Sequence, residues 1–201
     1  MSFELLAAFI VFAIVMLFTP GPNNVMLMTS GLNFGFARTI PHMLGVSLGF
    51  GLMVFLVGIG LGVVFKVFPL LYTVLKYAGA AYLLYLAWMI GTSGEVKEGK
   101  RKSRPMTFIE GAAFQWINAK GWIIALGAIT TYAALTSFPL NVVLLSVLLA
   151  VVGTASSAAW AAFGSALRRV LKDPVHVRIF NVTMAVLLVA SLYPVFADAW
   201  R

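Results

Sequence analysis

Apolar residues in this chain neither alternate nor recur at every third or fourth position; they come in long runs separated by short polar connections. Each run is near the roughly 20 residues that carry a helix across a bilayer core of about 30 Å. The pattern predicts six spans: Phe3 to Phe34, Ile40 to Phe65, Phe68 to Gly91, Thr107 to Tyr132, Pro139 to Leu167 and Val177 to Ala197. The longest polar connection, TSGEVKEGKRKSRP, runs from Thr92 to Pro105. The expected fold is an all-α polytopic membrane protein of one transmembrane domain, with a first three-helix repeat (1–91), a basic loop (92–106) and a second three-helix repeat (107–201). Three is odd, so homologous halves insert in opposite orientations, the 3+3 inverted-repeat plan of many secondary transporters.

Composition agrees with lipid as the solvent. The chain is 62% hydrophobic and 10% charged, whereas a soluble domain carries about 25% charged residues. The first run opens with SFELL, without a basic leader or a small-x-small cleavage site, and is expected to stay as the first span. The net charge of +8 is explained by its distribution. Arg38, then Lys97, Lys100, Arg101, Lys102 and Arg104, then Arg168, Arg169, Lys172 and Arg178 fall in alternate connections, against Lys66 and Arg201 on the other side. That asymmetry places the basic connections in the cytoplasm and both termini outside. It calls for the anionic lipid bilayer as partner and no nucleic acid.

One short stretch breaks the first run: FTPGPNNVM, Phe18 to Met26. A straight helix of about 32 residues would be about 48 Å long, more than the bilayer needs. Pro20 and Pro22 lack an N–H and disfavour helical geometry in the residue before them. Thr19, Pro20, Gly21 and Pro22 therefore predict a sharp break, which frees the carbonyls of Met16 and Phe18 and starts a new half-helix near Pro22. Irregular backbone at this depth is tolerated only against protein or a water-filled cavity. The two helix ends offer opposite dipoles, with Asn23 and Asn24 beside them, a combination suited to a zwitterion. The competing reading is a turn into a helix lying at the membrane surface.

The fourth span contains FQWINAKGW, Phe114 to Trp122, with Gln115, Asn118 and Lys120. Lys120 falls near the middle of the span, where a lysine costs about 2.5–3.5 kcal/mol and normally faces an interior pathway. The alternative is a displaced span in which Lys120 snorkels and Trp116 and Trp122 form an interfacial belt; Lys76, near a span end, fits snorkelling better. No Asp or Glu falls in the middle of a span. A second cationic group on a solute would find no partner, which favours a neutral solute, and it leaves Lys120 as the proton-carrier candidate.

The second and fifth spans are rich in small residues, as in Gly45, Gly49 and VVGTASSAAWAAFG from Val151 to Gly164, which lets helix backbones approach closely in lipid. Packing explains them; the other reading is that Thr154, Ser156 and Ser157 line a path. Whether two copies pair as a homodimer through these faces is open. With no cysteine, disulfides, thiolate metal sites and dithiol relays are excluded. His42, His176, Glu95, Glu98 and Asp173 are read as scattered loop residues rather than a catalytic cluster, so neither an enzyme nor a cofactor or metal site is expected. Trp88, Trp160 and Tyr132 are read either as solute contacts or as interface anchors.

TPGPNN at Thr19 to Asn24, GVSLGFG at Gly45 to Gly51, LKYAGAAYLLYLAW at Leu75 to Trp88 and INAK at Ile117 to Lys120 together resemble the LysE/RhtB family of bacterial amino-acid exporters. The resemblance implies a secondary carrier of the bacterial inner membrane, proton-driven, exporting small neutral amino acids or derivatives of the kind of cysteine, O-acetylserine, homoserine or threonine. Exporters of basic amino acids in the same family, and a passive channel for small polar solutes, are the alternatives. The family motifs fall on Pro20, Gly21, Pro22, Asn23 and Asn24 and on Asn118 and Lys120. The family often shows Asn-Pro-Lys in the fourth span; Ala119 stands here in place of the proline, which leaves a second sharp break open.

Overall fold

The computed structural model describes residues 3–61, 67, 69–92, 104–171 and 173–192. These residues are mostly helical, with no strand among them. The first apolar run becomes two helices, α1 (Phe3–Phe18) and α2 (Pro22–Phe34), whose axes differ by 56°. Pro22 opens α2, and the extended Gly21 precedes it at φ −170° and ψ 179°. After α3 (Phe36–Leu56), the chain passes through a wide π turn, Val57–Leu61, before α4 (Pro69–Gly91).

The fourth run is also interrupted. Helix α5 (Phe108–Phe114) gives way to a 3-10 turn, Gln115–Ile117, and then to Asn118 at φ −85° and ψ 100°, before α6 (Ala119–Tyr132) begins. A second break therefore forms without the proline. The long α7 (Leu140–Val170) and α8 (Pro174–Ala190) complete the described chain. The starts of α5 and α8 are specified locally. Thr107 and Glu110 form a capping box, and the Asp173 side chain accepts from the Val175 N–H at 2.8 Å, so each satisfies otherwise orphaned helix donors.

Among the described residues two helices are long and apolar enough to cross a membrane, Phe36–Gly60 and Leu140–Arg168, and three if the bent pair α1–α2 counts as one span. Shorter apolar helices are Ala80–Gly91, Ala119–Leu135 and Pro174–Ala190. The loop lysines at 97, 100 and 102, Lys66, Arg201 and the chain beyond 192 lie outside the described residues, as does the side chain of Lys76.

Among the described residues, packing divides the interior into two large apolar cores and a small third cluster of Leu27 of α2 with Met43 and Val46 of α3. Phe9 and Ala13 of α1 join Phe50 and Met53 of α3, Ile124 and Ala125 of α6, and Leu145 and Leu149 of α7. Val25 and Met28 of α2 instead join Leu83 and Ala87 of α4, Phe114 of α5, and Met184 and Leu188 of α8. The break between α1 and α2 thus lies where the chain crosses from one core to the other. Small residues bring backbones together on either side: a Cβ at Gly164 of α7 would overlap the Met28 carbonyl of α2, and one at Gly45 of α3 would overlap the Phe108 carbonyl of α5. Such contacts permit close van der Waals approach where lipid supplies no hydrophobic force.

One sequence reading changes. His42, read as a loop residue, lies in α3 and is 1% exposed. Tyr132 packs edge-on to Phe9 at 5.1 Å and beside Phe12 at 5.5 Å, tying the end of α6 to α1. Trp88 is largely exposed.

Candidate functional site

Once the chain leaves helical geometry after Phe18, the last carbonyls of α1 have no helical donors. Side chains from elsewhere reach them. Asn24 Nδ2 donates to the carbonyls of Leu17 at 3.0 Å and Thr19 at 2.8 Å. The Ser156 hydroxyl, from α7, also donates to the Leu17 carbonyl, at 2.8 Å. Lys120 Nζ donates to the Thr19 carbonyl at 2.5 Å and lies 3.5 Å from that of Pro20. The proline positions pointed to Met16 and Phe18 as the freed acceptors; the carbonyls that these side chains reach are those of Leu17, Thr19 and Pro20, because Gly21 is already extended and its N–H has left the helical ladder.

Asn23 and Gln115 exchange amide hydrogen bonds at 2.9 and 3.2 Å across 92 positions of sequence. Gln115 is completely buried and also donates to the Gly111 carbonyl at 2.9 Å. This pair ties the start of α2 to the interruption of the fourth run. A second reciprocal amide pair, Asn33 with Asn181 at 3.2 and 3.3 Å, ties the other end of α2 to α8.

The remaining polar groups converge on a cleft between α1, α2, α3, α6 and α7. Gly21, Pro22, Asn23, Asn24, Asn118 and Lys120 line it, with Ser47, Ser156 and Ser157 opposite and Met16, Phe50 and Ile124 as its apolar wall. Six of the nine residues singled out from the sequence therefore share one cleft. Thr19 and Pro20 contribute carbonyls beside it, and Gln115 stands behind Asn23. Ser47 donates to its own helix at Met43 and to Ser157 at 3.2 Å. Thr154, read together with Ser156 and Ser157, instead donates to the Ala150 carbonyl of its own helix at 2.8 Å. Ser47 and Phe50 sit inside the GVSLGFG run, where their place on the cleft side of a buried helix was the missed signal.

Two atoms stand out chemically. Lys120 is the cation of the cleft, half-buried at the first turn of α6. Asn118 is 3% exposed, lines the cleft, and its Oδ1 has no hydrogen-bond partner among the described residues. Buried polar atoms are nearly always paired, so an unpaired acceptor facing a cleft marks a place for a donor. Trp122 is buried, 7% exposed, and its Nε1 donates to the Trp116 carbonyl at 2.9 Å, so it is a core residue rather than part of a belt.

The chain is similar to known proteins along nearly its whole length. It is 34% identical over 198 residues, covering 98% of this chain and 100% of the relative, to the cysteine/O-acetylserine efflux protein of Escherichia coli (strain K12). The proteins of the same description from Escherichia coli O6:K15:H31 (strain 536 / UPEC) and Shigella sonnei (strain Ss046) match with the same identity and coverage. No solved structure matches. The family model described as LysE type translocator matches residues 14–191, which takes in both interruptions and every side chain of the cleft, and the chain belongs to the LysE family of translocators.

Proposed function

We propose that this protein is a proton-driven secondary carrier that exports small neutral amino acids or their derivatives, of the size of cysteine, O-acetylserine or threonine, across the bacterial inner membrane. In this reading the six apolar runs are six spans in a 3+3 inverted repeat, with both termini outside and the basic connections inside.

The observation that carries the proposal is the pairing of Lys120, parked on the Thr19 carbonyl, with the unpartnered Asn118 Oδ1 in the same cleft. A solute carboxylate is a stronger partner for an ammonium than a neutral carbonyl, because both ends are charged. It draws Nζ away from Thr19. The solute ammonium then finds two acceptors, Asn118 Oδ1 and the vacated Thr19 carbonyl at the negative end of α1. Asn23, Asn24 and Gln115 hold the two interruptions in place, and Phe50 and Ile124 face a short apolar side chain. No carboxylate lines the cleft, so the cationic end of a lysine- or arginine-like solute has no charged partner there, and burying it unpaired is costly.

Purified protein in liposomes loaded in turn with cysteine, O-acetylserine, threonine, leucine and lysine tests the proposal, with and without an imposed pH gradient. Saturable, gradient-sensitive efflux of the small neutral solutes, lost in Lys120→Gln, is the expected result. Preference for lysine would move the assignment to basic solutes, and efflux that never saturates would make the protein a channel. Efflux untouched by the substitution would remove Lys120 from the site.

A further inference from the structure

A carrier driven by protons needs a group that takes up and gives off a proton; among the described residues the cleft lining has no Asp, Glu or His, and Lys120, the candidate offered by the sequence, is engaged there as the ammonium that meets the solute carboxylate. His42 is the buried titratable side chain that the transport site leaves unused. It is 1% exposed, and neither Nδ1 nor Nε2 has a hydrogen-bond partner among the described residues. A core histidine with a purely structural role normally donates from one ring nitrogen and accepts at the other, and such orphaned pairs of atoms call for a reason.

Its position supplies one. Val46 and Ser47, one turn further along α3, line the cleft, about 6 Å along the axis at 1.5 Å per residue. Arg38, one turn the other way, belongs to the basic face. His42 therefore stands between the solute site and the basic end of the molecule. It sits at the seam of α3 with α5, where Gly111 lies against it: a Cβ there would meet the His42 carbonyl at 2.9 Å and the ring Cδ2 at 3.2 Å. Gly45 and Gly49 of α3 lie against the Phe108 backbone and Ala112 of α5 in the same seam, so the two helices meet there at close backbone approach.

The charged and titratable groups around the ring are few. From α5 comes Glu110, beside Gly111, with its carboxylate clasped by Arg104 at 2.6 and 2.7 Å and by the Thr107 N–H at 2.7 Å. Tyr82 of α4 packs on Phe114 of α5 at 6.0 Å between ring centres. Helix α2 has no titratable residue, Arg38 of α3 stacks over Phe34 at 5.7 Å, and Arg168 of α7 is exposed near that helix's end. Among the described residues Glu110 is the one anion next to the seam, and its oxygens are already engaged. An imidazolium in the closed seam would be a buried charge without a partner, which is costly. The closed seam thus holds the ring neutral, and a seam parted to water accepts the charge.

We infer that His42 is the proton-binding residue of the carrier, loading and unloading one proton as the α3–α5 seam closes and parts. This rests on the export reading above. The step balances simply: a ring nitrogen lone pair binds a proton from one side, and the same N–H releases it on the other, with no bond or oxidation state otherwise changed. Since charged and neutral rings prefer parted and closed seams, protonation shifts the population between the two.

The chain has only two histidines, which makes the test direct. His176 is exposed at the start of α8, 3.7 Å from Asp173, and His176→Asn leaves His42 as the one imidazole. In protein carrying this substitution, labelled with nitrogen-15 histidine and held in lipid bilayers, the ring nitrogens should be neutral at high pH and gain charged signals as the pH falls, later than an exposed imidazole would because the closed seam disfavours the charge. Added O-acetylserine should change their ratio at fixed pH. A ring that stays neutral at every pH at which the protein remains folded overturns the inference. In liposomes containing a pH-sensitive dye, His42→Asn should keep exchange of labelled for unlabelled solute and lose both proton movement and gradient-driven accumulation. Loss of exchange as well, or proton movement retained in the variant, would make His42 structural and overturn the assignment. If the unsubstituted protein moves no amino acid, the export reading falls by itself, while a titrating ring still supports a proton site at the seam.

Discussion

The two interruptions of the helical runs differ in how their backbone is satisfied. The first, at Thr19 to Gly21, is made by two prolines and turns the axis by 56°. Its carbonyls are covered by side chains, Asn24 from the start of α2 and Ser156 and Lys120 from distant parts of the chain. The second, at Gln115 to Asn118, contains no proline and closes on its own backbone: the Asn118 N–H donates to the Gln115 carbonyl at 3.3 Å, and the Asn118 carbonyl accepts from Trp122 at 3.2 Å. One break depends on a partner that can be exchanged, the other on local geometry. A solute that competes for Lys120 acts on the first break and leaves the second as the fixed side of the site.

The comparison is broken most directly at Lys120. Lys120→Gln removes the exchangeable charge, and truncating one member of a buried charged hydrogen bond costs about 2–5 kcal/mol. Solute efflux from liposomes should fall roughly a hundredfold, while the thermal unfolding of the detergent-solubilised protein shifts little. Efflux within a factor of about three of the parent would mean that neither break responds to the solute.

Next come the asparagines, one at each break. Asn24→Ala removes one of the two side-chain donors at each of the Leu17 and Thr19 carbonyls, where Ser156 and Lys120 supply the other, and each lost hydrogen bond costs about 0.5–1.5 kcal/mol. Asn118 makes no side-chain cap bond, and its Oδ1 has no partner to lose. Asn118→Ala should therefore leave the melting temperature nearly unchanged and weaken solute binding by about tenfold, the equivalent of about 1.4 kcal/mol. Equal stability losses in the two variants would erase the distinction between a break held by partners and one held by itself.

A smaller and more specific effect is expected at Gly21. Its backbone is extended, which any residue adopts, but a Cβ would stand 2.8 Å from Lys120 Cδ and 3.1 Å from Nζ. Gly21→Ala should push the lysine off the Thr19 carbonyl without straining the turn. A severalfold rise in the solute concentration for half-maximal efflux, with thermal stability preserved, is the result that fits; equal loss of stability and transport would show that the glycine serves packing alone.

How much of this could be seen in the sequence follows from the same contrast. The first break was legible because proline and glycine act on backbone geometry wherever they stand, and helices α1 and α2 end and begin where TPGPNN requires. The boundaries of α4 and α7 follow the apolar runs for a similar reason, since bilayer thickness sets span length. The second break was legible only as an open question: without the proline, Gln115 and Asn118 carry no strong intrinsic instruction to leave a helix, and the backbone bonds that close the turn, from Asn118 to Gln115 and from Trp122 to Asn118, are visible only in the structure. His42 was misread for a related reason. One histidine at the polar start of a span looks like a loop residue until Gly111 is seen to close over it. Its spacing with Val46 and Gly49, at i, i+4 and i+7, was the sign that it belongs to a buried face.

The smallest effect expected is also the sharpest test of whether the second break is built in. Ala119 is the first residue of α6, and the residue before it, Asn118, already has φ −85° and ψ 100°. Those angles already lie in the extended region toward which a following proline biases the residue before it. Proline is favoured at the first helical position, where no intrahelical acceptor awaits the missing N–H. Ala119→Pro should therefore fit with no rearrangement and raise stability by about 0.4–1 kcal/mol through the unfolded chain alone, a rise of a few degrees or less in the melting temperature, with transport unchanged. At a mid-helix position the same substitution would cost about 3 kcal/mol or more. Opposite signs for these two outcomes make the variant decisive: a stabilised, active protein means that the second interruption exists independently of the residue that would most plainly announce it, whereas a collapse in stability means that the fourth run is a continuous helix and the cleft has only one broken wall.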